Sequence, residues 1–161
     1  MMQDIEAITR LVFRILDENR TMALATLRPD GWPQATTVGY VHDAFAIYFA
    51  VASSSQKLAN IRRDPRTSIA IGHADPSGRR VSGLSMAARS VELSDWREVE
   101  HVNDLIRARY PEAAVFAPRN SNAAVIRAEP QILSVVDDAA GLQEPALFRV
   151  SQASALSPIE A

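Results

Sequence analysis

Apolar residues near the start of the chain recur at the spacing of one helix face. They follow the i, i+3, i+4, i+7 rule, and charged residues such as Arg10, Arg14 and Asp17 occupy the opposite face. The pattern predicts an amphipathic helix that ends near Asn19. Its apolar positions are Ile5, Ile8, Leu11, Val12, Ile15 and Leu16.

After Arg20 the pattern changes to short runs of apolar and β-branched residues, which are typical of strands. The first three runs are separated by very short turns, so we expect an antiparallel meander, because parallel neighbours need a long crossover. Gly83 and the pair Ala87–Ala88 are expected to bend the long fifth run. The predicted strands are 21–27, 32–40, 45–51, 66–73 and 79–93, followed by one or two closing strands in 123–128 and 131–137.

Two further helices are predicted among these strands. One spans roughly 56–64 and ends at Pro65, and the other starts after Asp95 and ends near Arg109, before Tyr110. Six or so antiparallel strands with two or three helices predict a mainly β fold, a small closed barrel of the Greek-key type. We expect residues 1–141 to form a single domain and 142–161 to be a C-terminal tail or an arm on a partner.

Composition excludes several classes of protein and site. A chain of 161 residues is one domain at typical size, and its net charge of −2 argues against a general nucleic-acid binder. The absence of cysteine excludes a disulfide scaffold, a thiolate nucleophile, an iron–sulfur cluster and a cysteine zinc site. With no secretory signal and no run of about 18 apolar residues, we expect a cytoplasmic protein without nucleic-acid or membrane partners.

The strongest local signal for chemistry is a run of three serines, 53–55, between a predicted strand and the helix from Gln56. One serine can cap the helix, and three leave hydroxyl and N–H groups available to an anion. Lys57, the chain's only lysine, lies in the first helical turn, where the helix dipole disfavours a cation by up to about 1 kcal/mol. The segment favours a phosphate site; the alternative is an exposed lysine beside an over-provided helix cap.

The second predicted strand offers a further group of polar side chains. Thr36 and Val38 share one face of this strand, and Thr37 lies on the other. These residues could hydrogen-bond a flat heterocycle held by the neighbouring anion site. The alternative is that the threonines are ordinary β-forming residues.

Three stretches together resemble the pyridoxamine 5′-phosphate oxidase-like, FMN-binding split-barrel superfamily. They are 22–27 (MALATL), 33–38 (PQATTV) and 55–66 (SQKLANIRRDPR), and the likeness extends over roughly 5–137. The resemblance implies a homodimer of six-stranded split barrels, with FMN in each of two clefts between the subunits.

The resemblance also implies roles for individual residues. Lys57 would bind the flavin phosphate, with Ser53, Ser55 and Gln56 near it. Residues 36–38 would run along the isoalloxazine ring. Ala50 and Val51 would pack beside the ribityl chain, and segment 82–88 is expected to be part of the partner's contribution.

Departures from the family pattern argue against vitamin B6 oxidation. The pyridoxine-phosphate oxidases carry cations where this chain has Ala35, Tyr40 and Gln56, and it lacks their Arg- and Trp-rich C-terminal block. We therefore expect an FMN-dependent oxidoreductase that acts on an unidentified small molecule, with no catalytic side chain that the sequence reveals. The alternatives are a flavin, deazaflavin or haem carrier with little turnover, and a cofactor-free dimer.

Other candidate sites carry less weight. His42, His73 and His101 are far apart in the chain, and none is paired with an acid at the spacing of metal ligands, so we predict no metal site. His42 is expected in a surface turn. The stretch 83–87 loosely resembles a nucleophile elbow, but it lacks the second glycine and a following helix.

Overall fold

The fold is given by a computed structural model that describes residues 4–112, 122–151 and 155–159. The helices in this part of the chain are α1 (Ile5–Glu18), α2 (Gln56–Arg63) and α3 (Trp96–Arg109). A membrane-spanning helix is not among them, because their length and apolarity are too low. The strands are β1 (Thr21–Leu27), β2 (Pro33–Gly39), β3 (Val41–Asp43), β4 (Ala46–Ala52), β5 (Arg66–Ala74), β6 (Val81–Glu92), β7 (Ala123–Asp137), β8 (Leu142–Val150) and β9 (Leu156–Pro158).

A six-stranded barrel follows from the strand pairing. Because β3 follows β2 after the single residue Tyr40, the two count as one barrel strand. The antiparallel neighbours then run β1, β2 with β3, β4, β7, β6, β5 and back to β1. The predicted mainly β, antiparallel barrel of the Greek-key type is confirmed, and β8 and β9 are additions to it.

The second strand of the expected meander is divided between two neighbours. β2 pairs with β1, whereas β3 pairs with β4, and β2 and β4 are not hydrogen-bonded to each other. The expected turn at His42 is wrong, because His42 lies in β3 and the turn comes at Ala44 and Phe45. The β6–β7 register shifts between Ala87 and Ala88, one of the two places where a bend is expected.

The segment after Gly141 differs from the expected tail. Residues 142–150 form β8, which pairs with the second half of β7 in the same sheet. Phe148 of β8 is fully buried in the main core, and Leu156 of β9 is 8% exposed. An apolar residue on the inner face thus holds this segment against the barrel, because its exposure to water would be costly.

The core has two parts. The larger fills the barrel and lies under α1, which turns Ile8, Val12 and Ile15 inward. The smaller packs α3 against the outside of β3 and β7 through Val41, Val99, Val102, Ile106 and Val125. Arg109 at the end of α3 also donates to the carbonyls of Leu16 and Asp17, which closes the C-terminal end of α1.

Gly72 is a position where no side chain fits. It lies opposite Gly83 in the β5–β6 ladder, and a Cβ on Gly72 would be 2.4 Å from the Ser82 carbonyl oxygen. We expect Gly72→Ala to lower the free energy of unfolding by about 1–3 kcal/mol in a chemical denaturation experiment, because a backbone atom cannot rotate away. Gly39→Ala is the control, since its nearest neighbour would be 3.9 Å away. Equal losses at the two positions would contradict the steric explanation.

Candidate functional site

The barrel is split between β2 and the second half of β4. Tyr48 is the last residue of β4 that pairs with β3, and beyond it β4 pairs with β7 alone. Within residues 4–112, 122–151 and 155–159, β2 pairs on one edge only, with β1. The two strands approach each other without a ladder, so each presents an edge of backbone N–H and C=O groups to the split.

The residues predicted from the sequence to bind a cofactor lie on both sides of this split and at its end. Residues 36–38 are in β2, and Ala50 and Val51 are in β4. Residues 53–57 follow β4 directly and lead into α2. Strand pairing thus brings together two groups that local sequence motifs had suggested separately. Their contact with a ligand stays a prediction.

The faces of the two strands differ in what they offer. Thr36 and Val38 are half-buried on one face of β2, and Thr37 is exposed on the other, as the alternation of a strand requires. Thr37 lines a surface cavity of about 510 Å³ together with Ala23 and Gly72. The Val51 side chain lies in the core, so this residue can face the split only through its backbone.

Thr36 carries an unsatisfied polar atom. Its Oγ1 is buried and has no hydrogen-bond partner among the described residues. A buried hydroxyl without a partner costs about 1–3 kcal/mol, and a ligand with a polar edge would remove this cost. The residues of the split therefore fit a heterocycle such as a flavin ring.

The segment 53–57 provides the polar end of the site. Ser55 is the N-cap of α2 and accepts a hydrogen bond from the Leu58 N–H at 3.3 Å, as the sequence indicated. The Ser53 N–H donates to Asn122, and its side chain is exposed. Lys57 is half-buried, and its ammonium group has no hydrogen bond or ion pair within the described ranges. This cation is therefore available to an anionic ligand.

The side chain of Gln56 binds within α2 and is not left free for a phosphate. Its Nε2 donates to Oδ1 of Asn60 at 2.9 Å, one helical turn along α2. Asn60 is fully buried and donates in turn to Thr26 and Gln34. Asn60 is not among the site residues predicted from the sequence, although one signal was present: it is a polar residue on the apolar side of α2, between Leu58 and Ile61.

None of the three positions where the resembled enzymes carry extra cations supplies one here. Ala35 lies exposed on the outer face of β2. Tyr40 is 2% exposed, and its hydroxyl donates to the Leu16 carbonyl at 2.7 Å. Burial raises the pKa of Tyr40 well above its ordinary value, so its phenol stays neutral. Of positions 35, 40, 56 and 57, only position 57 carries a cation in this chain.

The histidines do not form a common site. His42 contacts Asp17 at 3.0 Å, and its side chain is only 12% exposed, contrary to a surface turn. His101 contacts Asp43 at 2.9 Å, and His73 is exposed at the end of β5. Within the described ranges, no three potential ligands converge on a metal position.

Asp137 is a buried carboxylate at another end of the barrel. Its Oδ2 accepts from Ser82 at 2.7 Å and from Arg14 at 2.9 Å, and its Oδ1 accepts from the Ala140 N–H. Burial by itself raises the pKa of Asp137, but these hydrogen bonds outweigh it and hold the pKa below the ordinary value. The carboxylate therefore stabilises the fold above the unfolded-state pKa, and this stability is lost as the pH falls through the lower folded-state value.

Asp137→Asn should make the free energy of unfolding less dependent on pH below about 4, the ordinary aspartate range. Urea denaturation between pH 3 and pH 7 measures this dependence for both proteins. Part of the slope should remain in the variant, because hydrogen bonds also lower the pKa of three other aspartates. These are Asp30, Asp64 and Asp75. An unchanged acid slope in Asp137→Asn would contradict the assignment.

Comparison with known proteins agrees with this architecture. A family model described as pyridoxamine 5′-phosphate oxidase matches residues 8–137. No curated protein sequence is similar enough to count as a relative.

Solved structures with a similar fold come from several bacteria. Rv2991 of Mycobacterium tuberculosis is 24% identical, with a TM-score of 0.69 and coverage of 85% of this chain and 86% of its own. The haem storage protein HutZ of Vibrio cholerae is 17% identical, with a TM-score of 0.68 and coverage of 83% and 95%. General Stress Protein 26 of Bacillus anthracis is 18% identical, with a TM-score of 0.67 and coverage of 88% and 98%. At these identities the likeness shows the fold alone.

Proposed function

We propose that this chain, which belongs to the pyridoxamine 5′-phosphate oxidase family, binds FMN in the split between β2 and β4 and acts as an oxidoreductase. When bound, FMN supplies hydride or electron transfer, and the protein supplies binding and orientation. Lys57 and the serines would hold the phosphate, and β2 would hold the ring. The substrate would be a small molecule rather than pyridoxine phosphate.

Lys57 is the observation that carries this proposal. It is half-buried at the positive end of the α2 dipole, and it has no counter-ion among the described residues. A cation is unfavourable there unless an anion lies between it and the helix. A phosphate would accept hydrogen bonds from the ammonium group, from serine hydroxyls and from free backbone N–H groups at the same place.

Two features of β2 support the ring position. In the part of the chain that the structure describes, Thr36 Oγ1 is buried without a hydrogen-bond partner, and the edge of β2 that faces β4 is unpaired. Hydrogen bonds from a flat heterocycle would satisfy both. The phosphate and the ring would then lie along one continuous surface, from 53–57 to 36–38.

We further propose that the site is completed in a homodimer. The outward faces of β1, β5 and β6 form two cross-strand rows of small residues, which a second copy could approach closely. These rows are Ala23, Ala70 and Ser85, and Ala25, Ser68 and Ala87. Segment 82–88 belongs to this face, so its proposed contribution to the partner's site is compatible with its position.

A carrier of haem or deazaflavin with little turnover is the second candidate. It is favoured by the absence of a cation at positions 35, 40 and 56. The haem storage activity of HutZ, which has a similar fold, points in the same direction. His73, exposed and without a partner in the described part of the chain, is the histidine available to a haem.

The visible spectrum of the freshly purified protein, with mass identification of any released chromophore, tests these proposals. FMN, or tight binding of added FMN with reduction by NADH or NADPH, is expected. Bound flavin without reduction would favour the carrier, and a haem or deazaflavin spectrum would replace the FMN proposal. A colourless protein that fails to bind added FMN would overturn it. Light scattering of the same sample measures whether the chain is a dimer.

A further inference from the structure

We propose that Asn60 is a positioning residue that fixes the helix carrying Lys57 against the strand carrying Thr36. This inference rests on the proposed FMN site, since it concerns the geometry of that site. Asn60 lies on neither wall of the split and is fully buried. It would therefore act on a ligand only through the residues that it holds.

The side chain of Asn60 connects three elements by hydrogen bonds. Its Nδ2 donates to Thr26 Oγ1 at 3.0 Å and to Gln34 Oε1 at 3.2 Å, and its Oδ1 accepts from Gln56 Nε2 at 2.9 Å. We call these four residues the Asn60 clamp. The clamp joins α2 to β1 and β2.

The clamp ends next to both proposed contact points. Gln34 is two residues before Thr36 on the same face of β2, which is about 7 Å along the strand. Gln56 directly precedes Lys57 in the first turn of α2. The network is therefore a direct hydrogen-bonded connection between the helix that carries Lys57 and the strand that carries Thr36, across a split in which β2 and β4 form no ladder.

Loss of the clamp should affect the two walls unequally. β2 stays fixed by seven register pairs with β1, from Thr21↔Gly39 to Leu27↔Pro33. Among the described residues, the hydrogen bond between α2 and β2 is that of the clamp. The rest of α2 is held by Leu58 and Ile61 in the core and by Arg63, which donates to the carbonyls of Leu27 and Arg28. We therefore expect the ring position to persist and the Lys57 position to shift when Asn60 is replaced.

A pair of ligands separates these effects. FMN and riboflavin share the ring, and only FMN carries the phosphate that Lys57 would bind. Asn60→Leu should weaken FMN binding about tenfold or more and change riboflavin binding little, which reduces the preference for FMN over riboflavin. Lys57→Met should do the same, and the double variant should lose less than the sum of the two losses, since both act on one contact.

A purely structural role would produce a different pattern. FMN and riboflavin would then lose affinity equally, and the effects of Asn60→Leu and Lys57→Met would add. Asn19→Leu is a matched control, because it removes an amide hydrogen bond to the Ile15 carbonyl at the end of α1. It should leave the ligand preference unchanged.

Lys57 also gives a readout that needs no ligand. Because it is the only lysine, reductive methylation with ¹³C-formaldehyde produces one lysine signal in the NMR spectrum beside that of the N-terminal amine. Lys57→Met identifies the lysine signal by removing it. Asn60→Leu should shift that signal, and Asn19→Leu should not.

These measurements distinguish failure of the positioning role from failure of the FMN proposal. If wild-type protein binds neither FMN nor riboflavin, the proposed function fails, and the methyl signal still decides whether Asn60 positions Lys57. An unshifted signal together with an unchanged ligand preference would overturn the inference. If Asn60→Leu does not fold, Gln56→Leu removes one hydrogen bond of the clamp from an exposed position and should give a smaller change of the same kind.

Discussion

Lys57→Met should weaken FMN binding by roughly one to two orders of magnitude, measured by fluorescence titration. A hydrogen bond to a charged group contributes about 1.5–3 kcal/mol, and this ammonium group has no other partner among the described residues that would compensate for its loss. The free energy of unfolding should stay the same, since the Lys57 side chain makes no polar contact with the described residues.

Two controls make this result specific. Lys57→Arg keeps the charge and should retain most of the affinity, though a guanidinium places its donors differently. Arg10→Gln changes the net charge by the same amount at an exposed position of α1, where Arg10 pairs with Glu6, and should have no effect. An FMN affinity in Lys57→Met equal to that of Arg10→Gln would show that the phosphate lies elsewhere.

Phe148→Ala should produce the largest loss of stability, about 3–5 kcal/mol. Phe148 in β8 is fully buried among the barrel residues, and no small side chain could fill its volume. Because a domain of this kind is stable by only about 5–15 kcal/mol, the loss should be visible as a large fall in the denaturation midpoint.

The neighbouring Leu147 provides the control for this prediction. It is 42% exposed on the opposite face of β8, so Leu147→Ala should change the free energy of unfolding by about 0.5 kcal/mol or less. Similar small losses for both variants would mean that β8 does not belong to the cooperative core. In that case the expected tail or dimer arm would describe the segment better.

Elements that depend on nearby residues could be predicted from the sequence. The stripe from Ile5 to Leu16 gave α1, and Asp95 and Tyr110 are the N-cap and C-cap of α3 as expected. Pairing between distant strands could not be obtained in this way. Whether β4 pairs with β2 or with β7 depends on how the barrel closes. The sequence around Tyr40 shows no local pattern that predicts where the strand changes its partner from β1 to β4.

In the C-terminal segment, a composition typical of a tail is outweighed by the burial of one apolar side chain. Pro145 and the small polar residues around it suggested a tail, since proline and small polar residues disfavour a central strand. Alternation was nevertheless present, because Ala146, Phe148 and Val150 occupy one face of β8 and only Phe148 is fully buried. The burial of Phe148 and the pairing of β8 with β7 and β9 together fix the segment.

The candidate site also contains local features that the sequence predicts and long-range contacts that it does not. Ser55 and Lys57 could be nominated because a helix cap and its first turn lie within a few residues of each other. The bond from Asn60 to Gln34 joins residues that are 26 positions apart, and it depends on the register of β1 against β2. The ligand groups could therefore be proposed from the sequence, but the hydrogen-bond network that connects them could not.

The pairing of β4 with β7 also has a consequence for the order of folding. Phe49 of β4 meets Ile126 of β7, so the barrel cannot close until more than seventy further residues have been synthesised. Contacts of such long range slow folding and leave strand edges exposed in the meantime. The β1–β2 and β3–β4 hairpins can form early, but the two walls of the split reach their final separation only when β7 arrives between β4 and β6. Under the proposed function, FMN added during refolding should accordingly bind late, in the same phase as barrel closure.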